Sequence, residues 1–432
     1  MKEIIKEIMD NQGLSLGGFC DKYNIKRNKI ESIFYYNKNN LSDFEINTIK
    51  NLRLIKPNKI KYINKGLIDI NQLNVKNIFP SKTRYGFDIH FKELNNNYLE
   101  FWYQPKMRGK ISLILPSKIK LNEKFFINLG LSIGDGLNNP CKRNTHYNFC
   151  NKNFDLVRYN HLWLRDVFKI KNIEFYLYVP IKNINEIEDY KKKISFKFDI
   201  NGNKIKVYNS NRHKYPALTL QVSNSLFQHF YLNLFKKLRK TILKETIFRR
   251  AFLRGLFAAE GHVKHSTYGT IESISFAFDP KREIELIEFV KKSLDKERIK
   301  NKINNKSGTL YFCGYENMIK FFLLGIIDLY KEKRNKFIRL IRNAKITINF
   351  KDYPLNKINL SQNKIARIFN ISQPAISLMY KYKRLKISNL KKVRNLIGIE
   401  KYLSLKNIKS VTVGTNIIKD KEVIKSLISL QS

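Results

Sequence analysis

Two nine-residue stretches decide how this sequence folds: Asn128-Leu-Gly-Leu-Ser-Ile-Gly-Asp-Gly136 and Leu253-Arg-Gly-Leu-Phe-Ala-Ala-Glu-Gly261. Aligned position by position, both carry Gly-Leu, then a small residue, an acid and a final glycine. Each ends an apolar run that starts at a helix-capping residue, Asn122 in the first and Thr246 in the second. Gly130 and Gly134 share one helix face, as do Gly255 and Ala259, so two helix backbones can approach closely there. Gly136 and Gly261 are expected to close the helices in the left-handed conformation. The pattern predicts Asp135 and Glu260 at matching helix ends, meeting across a pseudo-two-fold axis.

A carboxylate at a helix C-terminus opposes the helix dipole, and two side by side repel each other. Divalent cations held by the acids and by unsatisfied last-turn carbonyls would offset both effects. The alternative is a pair of glycine-ended core helices, each with an incidental acid. Two copies with the acid in register weigh against it, on the logic of internal repeats.

Both stretches resemble the signature of the LAGLIDADG homing endonucleases in their two-motif, single-chain form. Leu253–Gly261 is the closer match, and Asn128–Gly136 departs at its first two positions. The resemblance covers residues 120–345. It implies an α+β fold with a pseudo-two-fold duplicated αββαββα core and two antiparallel β-saddles. It also implies hydrolysis of both DNA strands across the minor groove, leaving 3′ overhangs. Asp135 and Glu260 would be the catalytic acids and metal ligands, joined by the carbonyls of Gly134 and Ala259. Oxygen-only ligands favour Mg²⁺ (or Mn²⁺) over zinc. The basic residue that such sites use beside the metal falls, by position, on Lys240 and Lys333, with Lys244 and Lys331 next to them.

The composition agrees with a polyanion partner. Of 432 residues, 82 are Lys or Arg and 36 are Asp or Glu, a formal charge of +46. Hydrophobic residues make up 43% of the chain, enough for real cores and against global disorder. No signal peptide is expected, and the longest apolar run, Phe321–Ile327, stops at Asp328, so no membrane is expected either. Cys20, Cys141, Cys150 and Cys313 form no zinc spacing and are expected to be reduced thiols of a cytoplasmic protein.

Around the duplicated core (117–245 and 246–350) the sequence predicts three further regions. Residues 1–55 are helical and fit either a helix-turn-helix or a plain helical bundle; residues 56–116 form a small β-rich region. Residues 351–432 hold Leu360–Leu378, which resembles a helix-turn-helix: Ala366 allows close packing, Asn370 the left-handed turn, and Ser372 a cap. A plain helical hairpin is its alternative. Its second helix would present Gln373 and Ser377, with Lys381, Lys383 and Arg384 placed for phosphates. Strands are expected at Ile173–Val179, Ile194–Phe198, Lys204–Tyr208 and Ala217–Val222, with a hairpin turn at Asn201-Gly202, and a helix at Glu316–Tyr330.

The saddles would read base edges in the major groove. Candidates in the first half are Arg143, Asn144, His146, Asn148, Lys204, Lys206, Arg212 and Lys214. In the second they are Lys264, His265, Thr267, Tyr268, Lys302 and Lys306. The expectation is a monomeric DNA endonuclease with a long double-stranded recognition site. Two rivals stand beside it. One is a DNA-binding regulator on a degenerate core, a combination also found in a bacterial transcription-factor family. The other is a maturase that binds intron RNA.

Overall fold

The computed structural model describes residues 1–12, 15–52, 58–59, 72–83, 86–95, 97–105, 109–136, 146–210, 214–390, 393 and 406–431. The chain divides into two compact units, Met1–Phe248 and Arg249–Ser432, and the fold is of the α+β class.

The first unit opens with four helices, α1 (Lys2–Gln12), α2 (Leu16–Tyr23), α3 (Arg27–Tyr36) and α4 (Asp43–Leu52). They enclose a small core of their own, Ile5, Ile8, Phe19, Cys20, Ile25, Ile30, Ile33 and Ile49. A four-stranded antiparallel sheet follows, in the order β1 (Asn58–Lys59), β3 (His90–Leu94), β4 (Tyr98–Tyr103) and β5 (Ile111–Pro116), while β2 (Gln72–Asn74) pairs with β6 (Lys118–Lys120). β4 is buried almost throughout, and the Glu100 carboxylate on it is held by Lys92 and Lys110 at 2.9 and 2.6 Å. Burial raises the pKa of Glu100, but the two ammonium groups outweigh it and the net shift is downward.

The first half of the duplicated core runs α5 (Glu123–Asp135), β7 (Tyr147–Asn151), α6 (Phe154–Asp166), β8 (Glu174–Val179), α7 (Ile187–Phe198), β9 (Ile205–Asn209), β10 (Ala217–Val222) and α8 (Ser225–Lys244). Its sheet is ordered β7-β10-β8-β9. Two expectations fail here. Ile194–Phe198 is the end of helix α7, not a strand. Ile187, Tyr190, Ile194 and Phe198 recur at helical spacing, whereas Phe196, which made the stretch alternate, is 93% exposed. Asn201-Gly202 is therefore the helix-to-strand connection rather than a hairpin turn. β9 then lies parallel to β8, with Phe175 opposite Ile205 and Val179 opposite Asn209. A parallel pair needs a crossover, and α7 supplies it. Helix α7 and strand β9 are thus an insertion at one edge of an otherwise antiparallel saddle.

The second half runs α9 (Thr246–Glu260), β11 (Gly261–His265), β12 (Ile271–Ala277), α10 (Ile284–Lys296), β13 (Lys302–Asn304), β14 (Thr309–Phe312) and α11 (Tyr315–Leu323). That is αββαββα without insertion, and its sheet, β11-β12-β14-β13, is antiparallel throughout. α9 includes Thr246 as its first residue rather than being capped by it. The helix expected to reach Tyr330 stops at Leu323, because Gly325 takes a φ of +68° that other residues adopt only with strain. A separate helix, α12 (Lys331–Arg342), follows.

Residues beyond it build a second small sheet, ordered β16 (Arg384–Lys386), β15 (Ile346–Phe350), β17 (Ile408–Val413) and β18 (Asn416–Ile418). α13 (Gln362–Phe369) and α14 (Gln373–Tyr382) stand between β15 and β16 in the chain. The final helix, α15 (Lys421–Gln431), packs on α11 and α12. Lys320 reaches Asp420 at 3.4 Å, and Arg342 donates to the Leu430 carbonyl at 3.2 Å. Residues 406–431 thus belong to the second unit. Among the described residues, no helix is long and apolar enough to cross a membrane.

Candidate nucleic-acid interface and acidic helix ends

α5 begins where Asn122 accepts the Phe125 amide at 2.8 Å, as its capping role requires. Most of the helix is buried, from Phe125 to Ile133, with Glu123 and Lys124 exposed at its start and Gly134 and Asp135 half-buried at its end. Ser132 is fully buried and sits in a neutral network. Its hydroxyl accepts from Tyr147 at 2.8 Å and from the Asn160 amide at 2.6 Å, while Tyr147 also donates to Asn160 Oδ1 at 3.1 Å. Burial pushes the Tyr147 phenol far up, so it stays a donor. Asp135 is half-buried at the helix end, and Asn151 from β7 donates to its Oδ2 at 2.6 Å.

α9 is tied down by charge instead. Arg249, on the helix, gives Nε and Nη2 to Glu297 Oε1 at 2.7 and 2.6 Å; Arg250 Nε takes Oε2 at 2.8 Å. The Arg249 and Glu297 side chains are only 6% and 3% exposed. Glu260 is half-buried at the end of this helix. Lys333, from α12, spreads its ammonium over three last-turn carbonyls: Phe257 at 3.0 Å, Ala258 at 2.7 Å and Ala259 at 3.1 Å. A cation there meets the negative end of the helix dipole.

The glycines after the acids are not left-handed. Gly136 has φ −88° and ψ 164°, and Gly261 is already the first residue of β11. Space explains them: a Cβ on Gly136 would collide with the Ser132 carbonyl, and one on Gly261 with Phe257. Both glycines turn straight into a sheet. Gly136 bridges to Phe149, and Gly261 pairs with Phe276, so the two motifs enter their sheets in the same register.

Strand alternation fixes which side chains share the outward face of each sheet. In the second half these are His262 and Lys264, Ser273 and Ser275, Tyr311 and Thr309, Lys302 and Asn304, with Val263, Ile274, Phe276, Leu310 and Phe312 turned inward. Lys264 and Lys302 lie on this outward face; His265 lies beyond a bulge. Thr267 and Tyr268, exposed to 90% in the latter, form the hairpin tip, and Lys306 is exposed between β13 and β14. The sequence missed Ser273, Ser275, Asn304 and Tyr311, whose facing depends on register rather than residue type.

The first face differs. Asn148 stands opposite Gln221, but the remainder is Glu174, Tyr176, Tyr178, Lys206 and Tyr208. Glu174 accepts from Tyr176, from Lys206 at 3.2 Å and from Ser223 at 3.1 Å, and these bonds hold its pKa down. Lys204 and Lys214 are exposed, and His146 is half-buried just before β7. Arg143, Asn144, Arg212 and Cys141 lie outside the described residues.

Lys240 and Lys244 are exposed on α8 and Lys331 on α12, and no described contact links any of them to a motif helix. Among the described residues, no group of three or more His, Cys, Asp or Glu is arranged to hold a metal ion. Any metal here would depend on one carboxylate per motif, completed by backbone, water or substrate oxygens.

α13 and α14 meet across Asn370, Ile371 and Ser372. Asn370 takes φ +56°, and Ile365, Ala366, Phe369 and Ile376 are buried. Gln373, Ser377, Lys381, Lys383 and Arg384 are all exposed; Gln373 donates to Gln362 at 3.1 Å and Lys383 to the Lys351 carbonyl at 3.1 Å.

Residues 248–352 match the LAGLIDADG-like domain family. Among solved structures, the chain is similar to mesophilic variants of the homing endonuclease I-DmoI. There the identity is 18%, the cover 47% of this chain and 94% of that one, and the TM-score 0.29. It is also similar to full-length DUF199/WhiA from Thermatoga maritima, at 13% identity, over 72% of this chain and 92% of that one, with a TM-score of 0.32. No curated protein sequence matches it.

Proposed function

Proceeding from a chain whose residues 248–352 form a LAGLIDADG-like domain, we propose that this protein is a site-specific, divalent-metal-dependent DNA endonuclease acting as a monomer. The observation that carries the reading is one local geometry repeated. In each unit a motif helix ends on a half-buried acid, and the following glycine pairs with a phenylalanine of its own sheet. Packing explains the glycines, but it does not call for an acid before each.

The donors are all oxygen, which suits Mg²⁺ or Mn²⁺. Asp135, with the Gly134 carbonyl, would serve as a metal ligand in the first unit and Glu260 in the second; the Ala259 carbonyl is already engaged by Lys333. Bound metal supplies charge relief on the phosphate and a more acidic water. The protein's own groups do the rest. Asn151 fixes the orientation of the Asp135 carboxylate. Lys333 keeps a positive charge at the end of α9, where it stabilises charge developing on a phosphate nearby. The polar sheet faces supply base contacts, and α13–α14, as a helix-turn-helix, adds further contacts to duplex DNA. A formal charge of +46 supports strongly salt-dependent binding.

A second reading, a DNA-binding regulator without chemistry, draws on Lys333: its ammonium satisfies the same helix end that a metal would. The deciding experiment incubates the full chain with genomic DNA of a related strain lacking the gene, in Mg²⁺ and in Ca²⁺, and maps new ends by sequencing. Paired ends with 3′ overhangs at one or a few loci, lost in Asp135→Asn and in Glu260→Gln, are expected in Mg²⁺. Tight binding in Ca²⁺ with no ends in Mg²⁺ sinks the endonuclease and leaves the regulator. Preference for structured RNA over duplex DNA would instead select the maturase.

A further inference from the structure

The N-terminal helices α2 and α3 repeat α13 and α14 residue for residue, at a constant offset of 346 positions. Ser15 and Ser361 both cap, accepting the amides of Gly18 and Lys364 through their hydroxyls. Both first helices have eight residues, and both end on an asparagine in the left-handed conformation, Asn24 at φ +51° and Asn370 at φ +56°. Isoleucine follows each time, and its amide returns to the equivalent carbonyl: Ile25 to Cys20 at 2.9 Å, Ile371 to Ala366 at 3.1 Å. Both second helices have ten residues and end on another left-handed residue, Asn37 at φ +54° and Lys383 at φ +50°. The buried positions coincide as well, Phe19 with Ile365, Cys20 with Ala366 and Ile30 with Ile376. A plain helical hairpin does not require three matching caps, so the match marks one supersecondary unit used twice.

The exposed sides also correspond. Arg27 and Asn28 begin α3 where Gln373 and Pro374 begin α14, and Tyr35 occupies the place of Lys381. Arg27, Asn28 and Tyr35 are exposed, and exposed Lys22, Lys26 and Lys38 flank them. Glu31 on α3 pairs with Arg27 at 2.8 Å as an exposed i,i+4 pair. Such a pair contributes little and is easily exchanged for another anion. The apolar side of α2–α3 is spent on the bundle core, leaving a basic face of the kind that sits in a major groove.

We propose that α2–α3 is a second helix-turn-helix that binds duplex DNA through α3, reading bases with Arg27 and Asn28, so that the protein carries two such heads in addition to its saddles. This rests on the reading of α13–α14 as a DNA-binding unit, and the test separates the two. The full chain selects its preferred duplex from a random-sequence pool in Ca²⁺. The selection is then repeated with Arg27→Ala/Asn28→Ala and with Gln373→Ala/Ser377→Ala, all at exposed positions and with circular dichroism to confirm folding. Each double variant is expected to bind the original duplex roughly ten- to a hundredfold more weakly and to lose its own block of base preference. An Arg27/Asn28 variant that selects the same full site with unchanged affinity, while the Gln373/Ser377 variant loses a block, overturns the N-terminal head and leaves the C-terminal reading standing. No effect from either variant overturns both.

Discussion

The two halves of the core set the same motif helix on different interiors. Where α5 packs against α6 and β7, the buried polar groups are neutral: Ser132, Tyr147 and Asn160 satisfy one another. Where α9 approaches α10, they are charged: Arg249 and Arg250 converge on Glu297. A neutral network that loses one member loses the two hydrogen bonds that member makes, about 1 kcal/mol each. A buried ion pair that loses one member leaves the other charge stranded, at a cost of about 3–5 kcal/mol. Similar motifs therefore predict unequal tolerance. Glu297→Ala should be the most damaging of these changes, with hydrogen exchange rising across Arg249–Ser432 and far less in Met1–Phe248. Tyr147→Phe should cost only about 2 kcal/mol, read from urea midpoints. Equal losses from the two would remove the distinction.

The helix ends differ in the same sense. Asp135 is steadied through its side chain by a neutral amide, whereas at Glu260 the backbone is steadied by a cation. If Lys333 serves chemistry, Lys333→Met should slow single-turnover cleavage by about 10²- to 10³-fold, the scale for losing one preorganised charge-stabilising donor. Lys333→Arg should recover part of the rate. If it serves only the helix dipole, DNA binding and cleavage change little and thermal stability falls instead. Measuring both separates the two roles.

The sequence exposed the motif helices and their acids because periodicity, small-residue spacing and terminal glycines are local signals. It also exposed the second half, whose strands alternate cleanly and whose hairpin turns at Gly269. It failed where a local pattern imitated another: Ile194-Ser-Phe-Lys-Phe198 alternates like a strand, yet Phe196 is an exposed residue of a helix. It also assigned the glycines to the wrong cause, since a steric demand from Ser132 or Phe257 leaves no mark in composition. Asn151, Glu297 and the contacts of Lys333 come from sequence-distant segments, with Lys333 reaching 76 positions back to Phe257. Lys333 was singled out by its place after the last helix, but its partners emerge only from the fold.

The first half holds a titratable group with no counterpart in the neutral network beside it. His161 on α6 is buried against Phe175 and Phe198, with ring centroids at 5.3 and 5.6 Å. Burial, aided by Arg165, lowers its pKa from 6.5 to about 4. The folded state therefore resists the proton that the unfolded state accepts. Stability is intact above pH 6.5 and falls as the pH drops from 6.5 to about 4. The loss amounts to roughly 3 kcal/mol at the low end. His161→Phe should flatten that part of the profile, measured as the difference in urea midpoint between pH 7 and pH 4.5. An unchanged pH slope would show that carboxylates elsewhere govern the acid limb.

A smaller effect on cleavage than at Lys333 is expected at Asn151, and it sharpens the comparison most. Its amide holds Asp135 Oδ2 at 2.6 Å without contributing charge. Asn151→Ala should leave the carboxylate in place but less firmly oriented, and misorientation of this kind costs less than losing the acid. Cleavage should fall by about ten- to a hundredfold, given that a hydrogen bond to a charged group contributes about 1.5–3 kcal/mol. Because Asp135 belongs to one half only, the two strands should suffer unequally if each acid serves mainly one strand, and nicked product should accumulate before the double-strand break. Asn151→Asp sets a second carboxylate beside the first, where like-charge repulsion raises the pKa of the pair. Its activity should recover as pH rises, while that of Asn151→Ala should not. Equal slowing of both strands by Asn151→Ala would mean that the two acids act as one shared site, and the contrast between the helix ends would then be one of support rather than of role.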